Sequence, residues 1–112
     1  MPINEWSDNI LIAEMNDEPS FSEDVEALER RIDRMPGADI IINMQGVTYL
    51  NSSNIAQLLR LRKKLASNDA RLRICSINDA AWSVMMTAGL DQLFEFTDDV
   101  TTSLASLQID GE

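Results

Sequence analysis

Residues 39–66 read DIIINMQGVTYLNSSNIAQLLRLRKKLA and contain the strongest strand signal of the chain, followed directly by a helix signal. The run Asp39–Met44 carries apolar residues at successive positions, which is typical of a β-strand covered on both faces. Polar residues 51–54 follow, and apolar residues at helical spacing then predict an α-helix over 52–66. Its apolar positions are Ile55, Leu58, Leu59 and Leu65. A buried strand that leads into an amphipathic helix is the repeating unit of an α/β fold.

Strand-like and helix-like segments alternate on both sides of this unit. We predict strands over 9–15, 72–77 and 93–96, with a weaker strand over 3–6. Helices are predicted over 22–35 (capped by Ser20 or Ser22), from Asn78 or Asp79 to Ala88, and from Asp98 or Asp99 to Leu107. Residues 108–112 are expected to form a loose tail. The alternation predicts one α/β domain over 1–112, with a largely parallel sheet and helices on its faces.

Charge and composition exclude several functions before any motif is considered. Nine Lys and Arg against 19 Asp and Glu give the 112 residues a net charge of −10, which disfavours nucleic-acid and anionic-membrane binding. The sequence has no histidine, so catalytic and metal sites that use histidine are excluded. It shows no basic leader and no apolar stretch of membrane-spanning length. With Cys75 as the one cysteine, these features predict a cytoplasmic protein.

No set of residues predicts a catalytic site, a cofactor or a metal ion. The four glycines form no phosphate-binding loop. The carboxylates fall mostly in turns and on predicted outer helix faces, and Asp17-Glu18 is interpreted as a turn or cap pair. Cys75 lies within a predicted strand, which favours buried packing over a nucleophile. Trp82, Met85 and Met86 are predicted to pack a helix against the sheet, with a partly exposed contact patch as the alternative.

Residues 40–68 contain no acid, and their helix carries a cluster of cations. These are Arg60, Arg62, Lys63 and Lys64. One interpretation is a solvated face whose positive charge complements the carboxyl end of the helix dipole. The other is the edge of a binding surface for an acidic partner. The residues alone leave both interpretations open.

The tetrapeptide Asn51-Ser52-Ser53-Asn54 stands at the start of the same helix. Any of these side chains can cap the helix by accepting a hydrogen bond from a free backbone N–H. A serine hydroxyl at this place can also be phosphorylated, because the helix N-terminus stabilises a phosphate. Phosphorylation adds about −1.5 to −2 charges and would repel a partner docked over the site. A plain cap and a phosphorylation switch are therefore both compatible with the residues.

Three segments between residues 40 and 107 follow the pattern of a known family. Residues 41–59, with Gly46-Val47, Asn51-Ser52-Ser53-Asn54 and Leu58-Leu59, are similar to D-L-S-G-V-x-F-I-D-S-S-G-L-G-x-L-L. Residues 84–94, VMMTAGLDQLF, are similar to L-x-x-x-T-G-L-D-x-L-F, and residues 98–104 to a closing helix D-S-x-x-x-A-L. In this order and spacing the segments resemble the STAS family, the domain of bacterial anti-sigma factor antagonists.

The resemblance implies an α/β domain with a four- or five-stranded mixed, largely parallel sheet and about four helices mainly on one side. It also implies a regulator without enzymatic activity that binds an anti-sigma factor, which is itself a serine protein kinase. Phosphorylation by that kinase breaks the complex, and a phosphatase restores it. Matched by position, the phosphoacceptor is Ser52, with Ser53 beside it as the less favoured residue. The implied partner surface comprises Asn51, Ser52, Ser53, Asn54, Gln57, Arg60 and Lys64.

Two positions of the acceptor segment depart from the family pattern. Asn51 stands in place of an aspartate, and Asn54 stands in place of a glycine. Asn51 still suits a helix cap but lacks the charge, and Asn54 adds a side chain where a kinase approaches. Two alternatives therefore stay open beside the switch. They are a STAS scaffold or interaction module without phosphorylation, and a STAS domain that senses a small ligand or nucleotide.

Overall fold

Five strands form one mixed sheet in the order in which they occur along the chain. The computed structural model describes residues 3–110, and its strands are β1 (Ile3–Ser7), β2 (Ile10–Asn16), β3 (Asp39–Gly46), β4 (Leu72–Cys75) and β5 (Glu95–Thr97). The sheet order is β1-β2-β3-β4-β5. Only the β1–β2 hairpin is antiparallel, and the other three neighbouring pairs are parallel. The predicted mixed, largely parallel sheet is thus confirmed, with five strands.

Three helices cover one face of the sheet and a fourth covers the other. The helices are α1 (Ser20–Arg34), α2 (Ser52–Ser67), α3 (Asp79–Thr87) and α4 (Val100–Asp110), with a 3₁₀ turn over Leu90–Gln92 between α3 and β5. The three crossovers from β2 to β5 each add the next strand on the same side, so crossovers of one hand place α1, α2 and α3 on one face. Leu107 of α4 packs against Ile41 on the opposite face. The prediction of helices mainly on one side is confirmed.

Strand β3 lies at the centre of the sheet and is buried on both faces. Ile40, Ile42 and Met44 belong to the core under α1–α3, whereas Ile41 belongs to the core under α4. All four side chains have 0% exposure. This double burial is the reason for the unbroken apolar run in the sequence. No helix within residues 3–110 is both long enough and apolar enough to span a membrane.

The start of α1 and the end of α4 differ from the sequence predictions. Helix α1 has Pro19 at its N-cap position and no side-chain cap, so the prediction of Ser20 or Ser22 as the cap is wrong. The N–H of Ser22 instead donates to the carboxylate of Glu18 at 2.8 Å, which replaces a cap. Helix α4 continues to Asp110, so residues 108–110 are helical and not part of a loose tail. Residues 111–112, the rest of that predicted tail, lie outside the described residues.

Glycine is required at two places where the chain changes direction. Gly89 has a φ of 73° directly after α3, which confirms the predicted left-handed helix stop, and Leu90 folds back to 7% exposure. Gly46 ends β3 so close to β2 that an added Cβ would lie 2.8 Å from the carbonyl oxygen of Met15. Without a side chain, Gly46 lets β3 remain paired with β2 up to the loop that leads into α2.

Candidate functional site at the start of helix α2

Two asparagines close the first turn of α2 by binding each other's backbone. Asn51 is the N-cap residue, and its Oδ1 accepts a hydrogen bond from the N–H of Asn54 at 2.8 Å. In return, Oδ1 of Asn54 accepts a hydrogen bond from the N–H of Asn51 at 3.1 Å. This reciprocal arrangement is a capping box, with asparagine where a glutamate or glutamine is usual. Asn51 and Asn54, the two residues that depart from the family pattern, therefore form one capping box together.

The side chain of Asn54 is buried and connects α2 to the start of α1. Its exposure is 2%, and its Nδ2 donates to Oε2 of Glu18 at 3.1 Å and to Oε1 of Gln57 at 3.3 Å. A buried amide is costly unless its polar atoms are paired. Here both the oxygen and the nitrogen have partners, so Asn54 fixes the start of α2 from inside the protein.

The same network continues through Gln57 to the first turn of α1. Nε2 of Gln57 donates to Oγ of Ser22 at 2.9 Å, and that hydroxyl donates to Oε2 of Glu18 at 2.6 Å. The hydrogen bond from the Ser22 hydroxyl lowers the pKa of Glu18. Gln57 was predicted as a partner contact, and the structure places its amide in contact with α1.

The loop between β3 and α2 is held from two further directions. Asp17 accepts hydrogen bonds from the Thr48 N–H at 2.8 Å, the Thr48 hydroxyl at 2.6 Å and the Tyr49 N–H at 3.3 Å. The Thr48 hydroxyl in particular lowers the pKa of Asp17. From the other side, Nδ2 of Asn78 donates to the carbonyl oxygen of Val47 at 2.8 Å, while its Oδ1 caps α3.

These loop contacts were not found from the sequence. The sequence identified Asp17 as a turn acid and Asn78 as one of two possible helix caps. Both residues also bind the loop, and each partner lies 31 or 32 residues away along the chain. The spacing of residues along the sequence cannot predict contacts at that separation. They form because the order of the strands in the sheet places these segments side by side.

Ser52 and Ser53 are the first two residues of α2, and both are exposed. Their hydroxyls have no hydrogen-bonding partner within residues 3–110. The first turn of α2 contains no acidic residue. Tyr49, with 65% exposure, lies in the loop directly before them. The site thus presents two accessible hydroxyls at a helix N-terminus, where backbone N–H groups and the helix dipole favour an added anion.

Arg60 and Lys64 point their charges toward α1. Arg60 makes a two-point contact with the carboxylate of Glu29, at 2.8 and 3.1 Å, and these hydrogen bonds raise the pKa of its guanidinium group. Nζ of Lys64 lies 2.7 Å from Oδ1 of Asp33. Both cations of the predicted partner surface are therefore neutralised within the chain.

Of the remaining candidate residues, Cys75, Trp82 and Met85 lie in packed positions, whereas the predicted packing of Met86 against the sheet is wrong. Cys75 is buried beneath α4, and burial raises the pKa of its thiol, as expected for a packing residue. Met85 has 0% exposure, and Trp82 packs edge-on against Phe96 with ring centroids 4.9 Å apart. Met86 is 53% exposed. Among the described residues, no three His, Cys, Asp or Glu side chains are grouped to hold a metal ion.

Comparison with known proteins identifies the family. A model of the STAS domain family matches residues 4–103. The fold is similar to an anti-sigma factor antagonist domain protein from Planctomyces limnophilus, at 14% identity and a TM-score of 0.82, covering 95% of this chain and 97% of that one. It is similar to a variant of RsbS from Moorella thermoacetica at 14% identity and a TM-score of 0.83, covering 100% of both chains. SpoIIAA from Bacillus in its phosphorylated form is 13% identical with a TM-score of 0.68, covering 94% of this chain and 96% of that one.

These comparisons differ in what they establish. A search of curated protein sequences found no significant match. The similarity to solved structures at 13–14% identity shows a shared fold. The family model is a match of sequence, and residues 4–103 make up most of the 112-residue chain. The chain therefore belongs to the STAS domain family.

Proposed function

We propose that this protein is a non-enzymatic antagonist that binds an anti-sigma factor and is switched off by phosphorylation of Ser52. The partner in this proposal is both an anti-sigma factor and a serine protein kinase, and a phosphatase reverses the modification. One observation carries the proposal. At the position that matches the family's phosphoacceptor, Ser52 presents an exposed hydroxyl on the first residue of α2.

The surroundings of Ser52 suit a phosphate in the free protein. A phosphate on Ser52 adds about −1.5 to −2 charges beside free backbone N–H groups, and the first turn contains no acid to oppose it. The capping box uses the side chains of Asn51 and Asn54, so phosphorylation leaves its two hydrogen bonds in place. The isolated domain therefore tolerates the modification, whereas a partner docked on Ser52 loses affinity through repulsion and desolvation.

Within the proposed partner surface, we expect some residues to contact the partner and others to support the surface. Ser52, Ser53 and Tyr49 are exposed and available for contact. Asn51, Asn54 and Gln57 shape that surface from beneath through their hydrogen bonds. Arg60 and Lys64 lie about 12 and 18 Å along the helix from Ser52 and form the rim of the surface. We expect their substitution to affect binding less than changes at Ser52, because their charges are already paired.

The structural relatives support the proposal in general terms. The fold is shared with proteins described as anti-sigma factor antagonists, and SpoIIAA has been solved in a phosphorylated form. Proteins of this kind act by binding a partner protein and not by catalysis. The shared fold makes the same general role the best-supported function for this chain.

The direct test is phosphorylation by the candidate anti-sigma kinase of the same genome. The kinase is incubated with ATP and with the wild-type protein, S52A or S53A, and the products are mapped by mass spectrometry. We expect one phosphate on Ser52 in the wild type and in S53A, and none in S52A. If the kinase modifies another antagonist under the same conditions but leaves Ser52 unmodified, the switch is ruled out.

A scaffold role without phosphorylation is the alternative that a specific observation favours. The acceptor is flanked by an uncharged Asn51 and by the buried side chain of Asn54, in place of an aspartate and a glycine. A pull-down with the anti-sigma partner separates the two functions. The switch predicts that S52D binds the partner at least about tenfold more weakly than S52A, whereas a scaffold binds equally well with either substitution.

A further inference from the structure

Helix α3 exposes apolar surface to solvent. The sequence from Ala80 to Leu90 contains no charged residue, in a chain of which 25% of the residues are charged. Ala81 and Met85 are the buried residues of this helix. Met86 remains 53% exposed, and Leu93, shortly after the helix, remains 42% exposed. A helix that is apolar on all sides is usually covered on all sides, but the outer face of α3 has no cover within residues 3–110.

A shallow groove lies on this outer face beside Met86. It has a volume of about 340 Å³, and its almost wholly apolar lining comprises Ser83, Val84, Thr87 and Ala88. Met86 follows Ser83 by three residues, so the two side chains are neighbours on the helix surface. Methionine is unbranched and flexible, which lets it fill an irregular apolar groove. Helix α3 therefore presents an exposed apolar side chain and an apolar groove on one face.

A face with both of these features fits a second copy of itself. In a dimer with twofold symmetry, the same patch of each chain contacts the other. With the two α3 helices antiparallel and the axis near Met86, each Met86 side chain lies against the groove of the other copy. Because α3 carries no charge after Asp79, this contact buries no charged group of the helix.

The charges at the two ends of α3 are complementary to each other. Asp79 stands in the first turn of the helix. Arg62 lies beyond its other end, since its Nε donates to the carbonyl oxygen of Leu93 at 2.7 Å, and the exposed Lys63 is next to Arg62 on α2. Among the described residues, Asp79 and these two cations form no ion pair. The cations outnumber the half-buried Asp91 at their end. In an antiparallel dimer, Asp79 of each copy faces the cations of the other.

We propose that this protein forms a weak homodimer through α3, with Met86 of each copy in the groove of the other. The proposal does not rest on phosphorylation of Ser52. The nine residues of α3 are about 14 Å long and about 10 Å wide, far less than the roughly 800 Å² per chain of a standard interface. The net charge of −10 also opposes association. We therefore expect a dissociation constant on the order of 100 μM.

Sedimentation equilibrium of the wild type from about 10 μM to about 1 mM tests the dimer, in about 0.15 M sodium chloride to screen the net charge. We expect the weight-average mass to rise from 12.6 kDa toward twice this value. S52A should dimerise as the wild type does, which separates this surface from the proposed switch. A wild type that is still monomeric at about 1 mM would overturn the proposal.

M86E and A105E form the matched pair of variants. Both place a new carboxylate at an exposed helix position, but Ala105 belongs to α4 on the opposite face of the sheet. We expect M86E to weaken dimerisation by about tenfold or more and A105E by less than about threefold. Equal effects would contradict the proposed interface, because they indicate general repulsion between acidic chains. Circular dichroism of every variant verifies that it is folded.

Exchange of charges tests the antiparallel arrangement. D79K and K63E each bring like charges together at both ends of the dimer, so each alone should dimerise at least about fivefold more weakly than the wild type. In a mixture of the two, the heterodimer has opposite charges at both ends. It should form with a dissociation constant within about twofold of the wild-type value.

Two results would count against this arrangement and its occupant. Absence of recovery in the mixture would show that Asp79 and Lys63 do not face each other across a dimer. A monomeric wild type whose M86E variant loses affinity for the candidate anti-sigma kinase would assign the patch to that partner and overturn the homodimer.

Discussion

At the residue scale, Asn51 and Asn54 decide the geometry of the proposed acceptor site. Each asparagine oxygen accepts a hydrogen bond from the other residue's backbone, at 2.8 and 3.1 Å. The remaining amide of Asn54 reaches Glu18, which starts the connection to α1. In the family pattern a glycine at position 54 could make none of these side-chain contacts. Asn54 therefore fixes the first turn of α2, the turn that carries Ser52.

This reciprocity predicts a coupling between the two residues in unfolding experiments. We expect N51A to lower the free energy of unfolding by about 1 kcal/mol through loss of the cap. N54A is expected to cost about 1–2 kcal/mol, because it also removes a partner of Glu18. Loss of either side chain loosens the first turn, so the double variant should cost about 0.5–1 kcal/mol less than the sum of the two.

Urea unfolding of the wild type, N51A, N54A and the double variant measures this coupling. S53A is the control, since Ser53 is exposed on the same turn and has no hydrogen-bonding partner within the described residues. Its effect should stay within about 0.5 kcal/mol. Strict additivity of N51A and N54A, or an N54A effect no larger than that of S53A, would contradict the coupling.

The cap of α2 could be predicted from the sequence, but the contacts of Asn54 and Gln57 with the start of α1 could not. The spacing of Asn51 and Asn54 is that of a capping box, and the predicted role of Asn51 as a cap is correct. The contact of Asn54 with Glu18 spans 36 residues, and no local pattern encodes it. For the same reason, the sequence could identify Gln57 as a helix-face residue but not its hydrogen bond to Ser22.

At the scale of secondary-structure elements, the connection from β2 to α1 supports the loop from β3 to α2. Asp17 provides this support through three hydrogen bonds to Thr48 and Tyr49. These bonds favour the charged carboxylate, and the pKa of Asp17 is accordingly lowered from its usual value of 3.8. A carboxylate with a lowered pKa in the folded protein stabilises the fold above its unfolded-state pKa, and this contribution is lost as the pH falls through the folded-state pKa.

We therefore expect D17N to destabilise the protein near pH 7 by about 1 kcal/mol, through weakened hydrogen bonds to the loop. The difference in free energy of unfolding between D17N and the wild type should shrink as the pH falls below about 4, because Asp17 then loses its charge by protonation. Urea unfolding at pH 7 and pH 3 measures both values. D8N is the control, since Asp8 is an exposed acid in the β1–β2 turn. A D17N effect of the same size at both pH values would show that the charge of Asp17 contributes nothing.

The order and type of these elements followed from periodicity, and the exceptions have local causes. Because β3 is buried on both faces, its sequence is an unbroken apolar run. Because α2 is buried on one face, its apolar residues recur at helical spacing. The predicted cap of α1 is wrong because Glu18, which precedes Pro19, completes the first turn in place of a serine. Strand β4 ends at Cys75, earlier than predicted, because Ser76 adopts a positive φ of 58°.

At the scale of the whole molecule, the distribution of charge along the sequence differs from its distribution in space. Residues 40–68 contain no acid, which indicated a basic surface along α2. Packing of α1 beside α2 brings Glu29 to Arg60 and Asp33 to Lys64. The sequence could not show this neutralisation because it depends on which helices are neighbours. Arg62 of α2 donates to the carbonyl oxygen of Leu93 and has no carboxylate partner among the described residues, and it lies outside the proposed partner surface.

The net charge of −10 predicts that salt stabilises the whole molecule. The described ion pairs join atoms 2.7–3.2 Å apart, whereas the unpaired acids are spread over a molecule with extents of 33 × 27 × 24 Å. Raising the ionic strength from about 0.02 to 0.5 M shortens the Debye length to about 4 Å, which screens repulsion across the molecule more than attraction between atoms in contact. We therefore expect the Tm to rise by several degrees in sodium chloride. A Tm that falls with salt would show that ion pairs such as Arg60–Glu29 outweigh the repulsion among the acids. The R60Q variant lacks one of these pairs. We expect the Tm of R60Q to rise with salt concentration at least as steeply as the Tm of the wild type.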